Sequence, residues 1–303
     1  MLKIDGQDAK QFLQGQITLN LNDINPKQSG LGAHCDIKGR MQSLFRVFQT
    51  DQASAYYLCM PCDVLLSTLQ GFKKYALFSK VSIETVNNLA AIGLYGPSVD
   101  KRVNQLIPQS HQLQNDYECL THTVNDDSYT VCRLPGEYPR FEIWASPQAL
   151  INLWSKLNEN CTLVPSQAWE LLDIQSGIPA IYTKTKGEIL PHHANLSILK
   201  GISYSKGCYL GQEIIARMQY KGKIKKHLYR AYVQSAKEIP APGDLVYGDA
   251  VSEPGIVLRC AQNKDAAFEM LIVLDDQFKN FENVCLYSAD GPKVHRLDLP
   301  YTW

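Results

Sequence analysis

The stretch Lys206-Gly207-Cys208-Tyr209-Leu210-Gly211-Gln212-Glu213 decides how this 303-residue chain is interpreted. It places one thiol two residues after an ammonium group and close to two glycines. Glycine lets other groups approach the backbone closely, and a nearby cation favours the thiolate form of cysteine. A cysteine that is only a small core residue usually lies in an apolar run instead. The pattern predicts a functional thiol at Cys208, with Lys206 tuning it.

Composition excludes several classes of protein. Thirty basic and thirty acidic residues cancel, so no global field attracts the chain to nucleic acid or to membranes. Nine irregularly spaced cysteines do not make a disulfide framework, and the C-x-x-C at Cys59 and Cys62 lacks the second half of a metal site. The chain shows neither an N-terminal signal segment nor an apolar run of about 18 residues. We expect a cytoplasmic protein without a membrane contact.

Apolar patterns along the chain predict an α+β protein of three domains, covering residues 1–86, 87–226 and 227–303. The first range alternates between strand and helix patterns as β-α-β-β-α-β, and the second repeats that plan and ends with a short strand at 162–164. The last range contains six short strand patterns separated by proline and glycine turns. Such spacing is typical of a small barrel or sandwich.

Beyond this pattern, the chain resembles a known family. The stretch Lys206–Glu213, followed by Ile214-Ile215-Ala216-Arg217, is similar to the K-G-C-Y-x-G-Q-E-x-x-A-R signature of the YgfZ family. Members are folate-binding, tRNA-modification-associated proteins related to the aminomethyltransferase (T-protein) of glycine cleavage. The eight-residue signature is highly specific, and moderately specific matches extend along nearly the whole chain. These matches are Phe12–Thr18, Ala33–Arg40, Lys74–Val81 and Trp169–Pro179.

The resemblance implies a fold and a cofactor. The implied fold is the three-domain aminomethyltransferase-like architecture, with two ferredoxin-like α+β units and a C-terminal small β-barrel. The implied cofactor is tetrahydrofolate or another reduced folate, with the indole of Trp169 stacking on its planar ring. Without the resemblance, Trp169 would be interpreted as a core residue of a helix face. The other folate-binding residues that the resemblance implies are Asn195, Gln212, Glu213 and Arg217.

The implied function is that of a folate-binding accessory protein. It would support the assembly or repair of iron–sulfur clusters and, through cluster enzymes such as a tRNA methylthiotransferase, the modification of tRNA. Cys208 would be the essential residue. Because an iron–sulfur cluster normally takes four cysteines, Cys208 would have to share a cluster with a partner. No metal ion is assigned to residues of this chain alone.

A folate-dependent one-carbon transferase is the alternative function. The T-protein uses an aspartate near the folate, and the resemblance places that position just after Lys38–Met41. This chain has Gln42 and Ser43 there, and neither side chain ionises to act as an acid or a base. The sequence therefore favours a protein that is not an enzyme. A second departure is His192, which stands where the family commonly has glutamine.

Between Lys200 and Arg230 the local charge is strongly positive, because eight of the residues are Lys or Arg and only Glu213 is acidic. Three interpretations stay open: a solvated basic face, a site for the carboxylates of a folate γ-glutamyl tail, and a site for RNA phosphates. Charge alone does not choose among polyanions. The chain carries no signature of a common RNA-binding module, so RNA is expected as a weak, secondary contact.

Overall fold

The structure is a computed structural model in which all strands pair antiparallel within three sheets. Each sheet is formed by one continuous part of the chain. No helix in the described part of the chain is long and apolar enough to cross a membrane. The described residues are 1–50, 55–124, 126–157, 161–234, 238–248 and 253–302.

The first sheet has a ferredoxin-like core with one added strand. Its strand order is β2-β3-β4-β1-β5, and helices α1 (Ala9–Gln14) and α2 (Cys62–Tyr75) complete the unit. Without β2, the order is that of a β-α-β-β-α-β unit. The sequence pattern missed β2 because two glycines weaken its strand signal. The strands β1 to β5 are Leu2–Asp5, Gly30–Cys35, Met41–Gln49, Tyr56–Cys59 and Ser82–Thr85.

The second sheet repeats the first with one strand fewer. Its order, β6-β9-β8-β7, places β7 at the edge that β2 occupies in the first sheet. Helices α3 (Val99–Leu106) and α4 (Pro147–Leu157) take the places of α1 and α2. The strands β6 to β9 are Ala90–Tyr95, Cys119–Val124, Asp127–Arg133 and Arg140–Ala145.

The strand predicted at residues 162–164 is wrong. These residues pair with no strand, and the apolar side chains of Leu163 and Val164 are exposed. Their apolar, β-branched composition gave the strand signal, but the segment only leads from α4 into the next helix. Among the described residues, the second sheet therefore lacks the last strand of its ferredoxin-like plan.

The third sheet curls into the predicted small barrel. Its order is β14-β11-β12-β13-β10-β15, and a tight hairpin between residues 284–286 and 292–294 connects β14 with the segment that enters β15. Apolar side chains such as Tyr229, Val257 and Ile272 fill its interior. The strands β10 to β15 are Lys226–Val233, Leu245–Tyr247, Gly255–Gln262, Phe268–Asp275, Cys285–Leu286 and His295–Leu297.

A long connecting segment joins the three sheets. It contains helices α5 (Ser166–Gln175) and α6 (Gln212–Lys221), with little regular structure between them. One apolar core contains Met41 of the first unit, Ile181 of the segment and Leu258 of the barrel. Each such side chain contributes about 1.5–3 kcal/mol on burial. The structure confirms the α+β class, while the exact domain boundaries stay a prediction.

Candidate functional site

Cys208 is exposed on an irregular loop that precedes α6, and we call residues 203–211 the thiol loop. Separate stretches of the first unit hold this loop. The N–H of Leu210 donates to the carbonyl oxygen of Gly15 at 3.1 Å, and the N–H of Ser203 donates to that of Thr18 at 2.9 Å. Two of the stretches that resemble the family, Phe12–Thr18 and Lys206–Glu213, therefore meet in space beside one exposed thiol.

Lys206 points into the protein. Its ammonium group donates to the carbonyl oxygens of Ile17 and Leu19, each at 2.7 Å, and lies 4.9 Å from the centre of the Tyr209 ring. Burial lowers the pKa of Lys206 to about 7. These contacts fasten the thiol loop to the first unit. The tuning of Cys208 by Lys206 stays a prediction.

Of the two glycines that flank Cys208, only Gly211 is required by the geometry. Its φ is +82°, and a Cβ there would lie 2.5 Å from the carbonyl oxygen of Asp36. Gly207 has no positive φ and open space around it. Asp36 in turn accepts backbone hydrogen bonds from Lys38 at 2.8 Å and Arg40 at 3.0 Å, which fixes the turn that presses against α6.

The four residues predicted beside Trp169 in a folate site lie elsewhere. Glu213 and Arg217 form an exposed ion pair of 2.8 Å on α6, whose first residue is Gln212. Asn195 is buried and binds both backbone groups of Leu228, at 3.0 and 3.1 Å, which ties the connecting segment to the barrel. Their folate-binding roles stay predictions, and the structure does not bring them together with Trp169.

A cavity of about 550 Å³ lies where the three sheets meet, and we call it the tryptophan cavity. Its lining includes Arg46 of β3, Glu142 of β9, Trp169 and Glu170 of α5, and Arg259 of β12. No residue between 201 and 228 is part of this lining as described. The thiol loop and the tryptophan cavity are therefore separate regions.

Buried ion pairs surround the tryptophan cavity. Arg46 pairs with Glu142, Arg140 with Asp173 at 2.6 Å, and Arg259 with Asp173 at 3.1 Å. Burial acts to raise the pKa of Asp173, yet Arg259 and Arg140 hold it below its usual value. Buried charges are costly unless they are paired, so each partner depends on the others. Three guanidinium groups and three carboxylates are therefore paired around this cavity, because Glu170 also binds Arg259, at 2.6 Å.

Some polar atoms at the tryptophan cavity lack a partner within the described protein. They are the Nε atoms of Arg46 and Arg259 and the hydroxyl group of Tyr117. A buried donor without a partner costs about 1–3 kcal/mol, so a ligand rich in acceptor atoms would be stabilised here.

The indole of Trp169 is already packed on one side. The Arg140 guanidinium carbon lies 4.0 Å from the ring centre, and a Cβ on Gly93 would come within 2.5 Å of the ring. Gly93 therefore makes the space that the indole occupies. The predicted stacking of Trp169 on a ligand stays a prediction, and this packing restricts the free surface of the ring.

A larger cavity of about 1160 Å³ adjoins the first, since Leu31 and Tyr117 line both. Two cations of the basic run, Lys200 and Arg230, also line it. Lys206 is buried, Arg217 pairs with Glu213, and Arg230 itself pairs with Glu269 at 2.7 Å. The basic run therefore does not form one continuous face. It contributes two cations to the larger cavity.

Sequence reasoning missed the charged residues of the tryptophan cavity. Arg46, Glu142 and Arg259 each interrupt an apolar strand, and that was the available signal, because charged residues are rarely buried unless they are paired. The sequence could not show which charges pair, because the partners come from different sheets.

The positions that distinguish this chain from the T-protein make internal contacts. Gln42 donates to Asp36 at 3.2 Å, and Ser43 is fully buried. Neither belongs to the lining of the tryptophan cavity. His192 is buried with its Nε2 atom 3.1 Å from the hydroxyl of Tyr204, and burial lowers the pKa of His192 to about 4. His192 is therefore neutral near pH 7.

Comparison with solved structures defines the class of fold. The chain is similar to the glycine cleavage system aminomethyltransferase T from Bartonella henselae, with a TM-score of 0.78 over 99% of this chain and 83% of that chain. Sequence identity in that comparison is 13%, so the likeness shows the fold alone. The protein has the aminomethyltransferase fold.

Comparison with curated proteins defines the family. The chain is 36% identical to the tRNA-modifying protein YgfZ of Colwellia psychrerythraea, over 99% of this chain and 90% of that protein. It is 32% identical to the protein of the same name from Photobacterium profundum, over 100% and 89%. No model of a known protein family matches the sequence. On these full-length identities, the chain belongs to the YgfZ family.

Proposed function

We propose that this protein supports tRNA modification as a folate-binding accessory protein, with Cys208 as its essential thiol. The names of its curated relatives support the link to tRNA modification. The observation that carries the proposal is the convergence of separate stretches of the chain on the loop that exposes Cys208. A thiol presented at the surface, outside the cavities described above, is suited to a macromolecular partner rather than to a small molecule enclosed in the protein.

A reduced folate fits the tryptophan cavity. The volume of about 550 Å³ lies within the range of ligand pockets, roughly 300–1,000 Å³. The unpartnered donors of Arg46, Arg259 and Tyr117 match the acceptor atoms of a pterin ring. The glutamyl carboxylates would extend into the larger cavity, towards Lys200 and Arg230. When bound, a reduced folate supplies one-carbon chemistry.

Iron–sulfur clusters are the proposed cargo of the partner. Thiolates are preferred ligands of such clusters, and an exposed cysteine is free to reach one. Among the described residues, no group of three or more cysteine, histidine or acidic side chains stands ready to hold a metal. Cys208 would therefore act on a cluster that a client enzyme holds, such as a tRNA methylthiotransferase in the cytosol.

The transferase alternative finds less support at the tryptophan cavity. The carboxylates around it, Glu142, Glu170 and Asp173, are each paired with an arginine. A carboxylate whose oxygen atoms already accept from an arginine is not positioned to reach a proton of the substrate, as a general base must.

Complementation tests the proposal. In a strain without the gene, we expect wild-type protein and Cys208→Ala to differ in the methylthiolation of tRNA, measured by mass spectrometry of tRNA nucleosides. Cys62→Ala is the matched control, because Cys62 is also exposed but lies on α2. We expect Cys62→Ala to restore methylthiolation and Cys208→Ala to fail at equal protein level. Full restoration by Cys208→Ala would overturn the proposal.

A further inference from the structure

Two buried cysteines face each other across the second sheet. Cys119 of β7 lies directly opposite Cys132 of β8, and their sulfur atoms are 2.8 Å apart. The N–H of Cys119 points away from β8 and donates to the carbonyl oxygen of Lys27 at 2.9 Å. The pair therefore occupies a non-hydrogen-bonded position, where facing Cα atoms are about 4.5 Å apart. That separation lies within the range of about 4.4–6.8 Å that disulfides require.

The surroundings make the two thiols unequal. The hydrogen bond between the two thiols lowers the pKa of Cys119, against the effect of burial, and the nearby Ser29 and Arg46 lower it further. The same hydrogen bond, together with burial, raises the pKa of Cys132. Cys119, on the last strand of the sheet and near Ser29 and Arg46, is therefore assigned as the attacking thiol, and Cys132, on the internal strand β8, as its partner. Such a division suits a reacting cysteine and a resolving cysteine.

We propose that Cys119 and Cys132 are a reactive dithiol that a small hydroperoxide oxidises to a reversible disulfide. The Cys119 thiolate attacks a peroxide oxygen, the O–O bond breaks, and Cys119 becomes a sulfenic acid while the released hydroxide takes a proton to give water. The Cys132 thiol then attacks that sulfur, the S–S bond forms, and hydroxide leaves with the proton of Cys132 as a second water. Two thiols lose two electrons, and the peroxide gains them.

The position of the pair allows oxidant to enter. Cys119 and Cys132 are buried, with exposed fractions of 2% and 0%. However, β7 is the last strand of its sheet, and near Cys119 its outer edge is held by the hydrogen bond to Lys27 and the bridge between Gln28 and Glu118. A local opening at this edge breaks these few backbone contacts without separating the sheet. Hydrogen peroxide is small enough to use such an opening.

Oxidation of this pair would change the wall of the tryptophan cavity. Tyr117 and Trp169 pack against the two cysteines and also line that cavity. The N–H of Ser29 donates to the carbonyl oxygen of Tyr117 at 2.8 Å, so the first unit contacts the residues that lead into β7. A covalent bond behind this wall would change the environment of the Trp169 indole.

Mapping disulfides in the full-length wild-type protein tests the proposal. Reduced protein is treated with hydrogen peroxide, its free thiols are blocked with N-ethylmaleimide, and its peptides are identified by mass spectrometry. We expect one linked peptide pair, Cys119 with Cys132, that dithiothreitol separates. Cys59 and Cys62 provide an internal comparison, since burial raises the pKa of Cys59 to about 11. If Cys119 and Cys132 stay alkylated, or if either links to another cysteine, the proposal is overturned.

One variant and one spectroscopic signal test the proposal separately from any folding defect. In Cys132→Ala, a dimedone adduct should form at Cys119 after peroxide, because the resolving thiol is gone. Its absence in a variant with wild-type near-ultraviolet circular dichroism would contradict the assigned roles. In the wild type, tryptophan fluorescence should change on oxidation and return with dithiothreitol. A disulfide that leaves this fluorescence unchanged would disprove the coupling to the cavity wall.

Discussion

The thiol loop and the tryptophan cavity differ in the partners of their buried basic side chains. In the thiol loop, the cation of Lys206 is buried against carbonyl oxygens, while the thiol of Cys208 is exposed. Around the tryptophan cavity, the guanidinium groups of Arg46 and Arg259 are buried against carboxylates. The first arrangement presents a reactive atom to the outside. The second encloses a polar space.

Strand β3 connects the two regions without bringing them together. Its first residue, Met41, adjoins the turn that presses against α6, and Arg46 lies five residues further along. At about 3.3 Å per residue, these positions are roughly 17 Å apart. The two regions are therefore linked by this strand and share no lining residue.

The largest expected effect is on stability at the cavity. Arg140→Met removes one of the two arginine partners of Asp173 and leaves Arg259 in place, so we expect the free energy of unfolding to fall by about 1.5–3 kcal/mol, the usual contribution of a hydrogen bond to a charged group. Arg217→Met, in the exposed pair on α6, should cost at most about 1 kcal/mol. Urea unfolding of both variants measures the difference. Equal losses would remove the contrast between the two regions.

A smaller effect is expected within the thiol loop. Gly211→Ala places a side chain at a left-handed φ, which costs about 1–2 kcal/mol, and adds a close contact with the carbonyl oxygen of Asp36. Gly207→Ala is the matched control and should change stability by less than about 0.5 kcal/mol. Thermal unfolding compares the two. If both variants melt together, Gly211 does not hold the loop against the first unit.

The smallest expected effect is a change in the affinity for folate, which distinguishes between two binding sites. With tetrahydrofolate in the tryptophan cavity, Trp169→Phe should weaken binding by about two- to tenfold, because an aromatic contact contributes about 0.5–1.5 kcal/mol. Arg217→Met should leave the affinity unchanged, because Arg217 lies outside that lining. Isothermal titration calorimetry measures both. The reverse result would place folate at the thiol loop, among the residues that the sequence predicted.

The sequence by itself determined the family and the fold class, and it singled out a glycine-flanked cysteine, whose exposure the structure then showed. A contiguous signature and the periodicity of apolar residues carry that information locally, and residue spacing alone is enough to read it. The second ferredoxin-like unit and the barrel strands were predicted for the same reason. The strand at residues 162–164 was predicted wrongly, because an apolar run does not reveal whether a partner strand lies beside it.

Only the tertiary structure decided which functional side chains lie in the thiol loop, which line the tryptophan cavity and which make internal contacts. It turned Lys206 inward, gave Asn195 a structural contact, and kept Trp169 apart from α6. It also placed Cys119 opposite Cys132, thirteen residues apart in the chain. The physical reason is that pairing of buried charges and strand register depends on groups from distant parts of the chain. These interactions form, and stabilise the fold, only when the sheets have packed together.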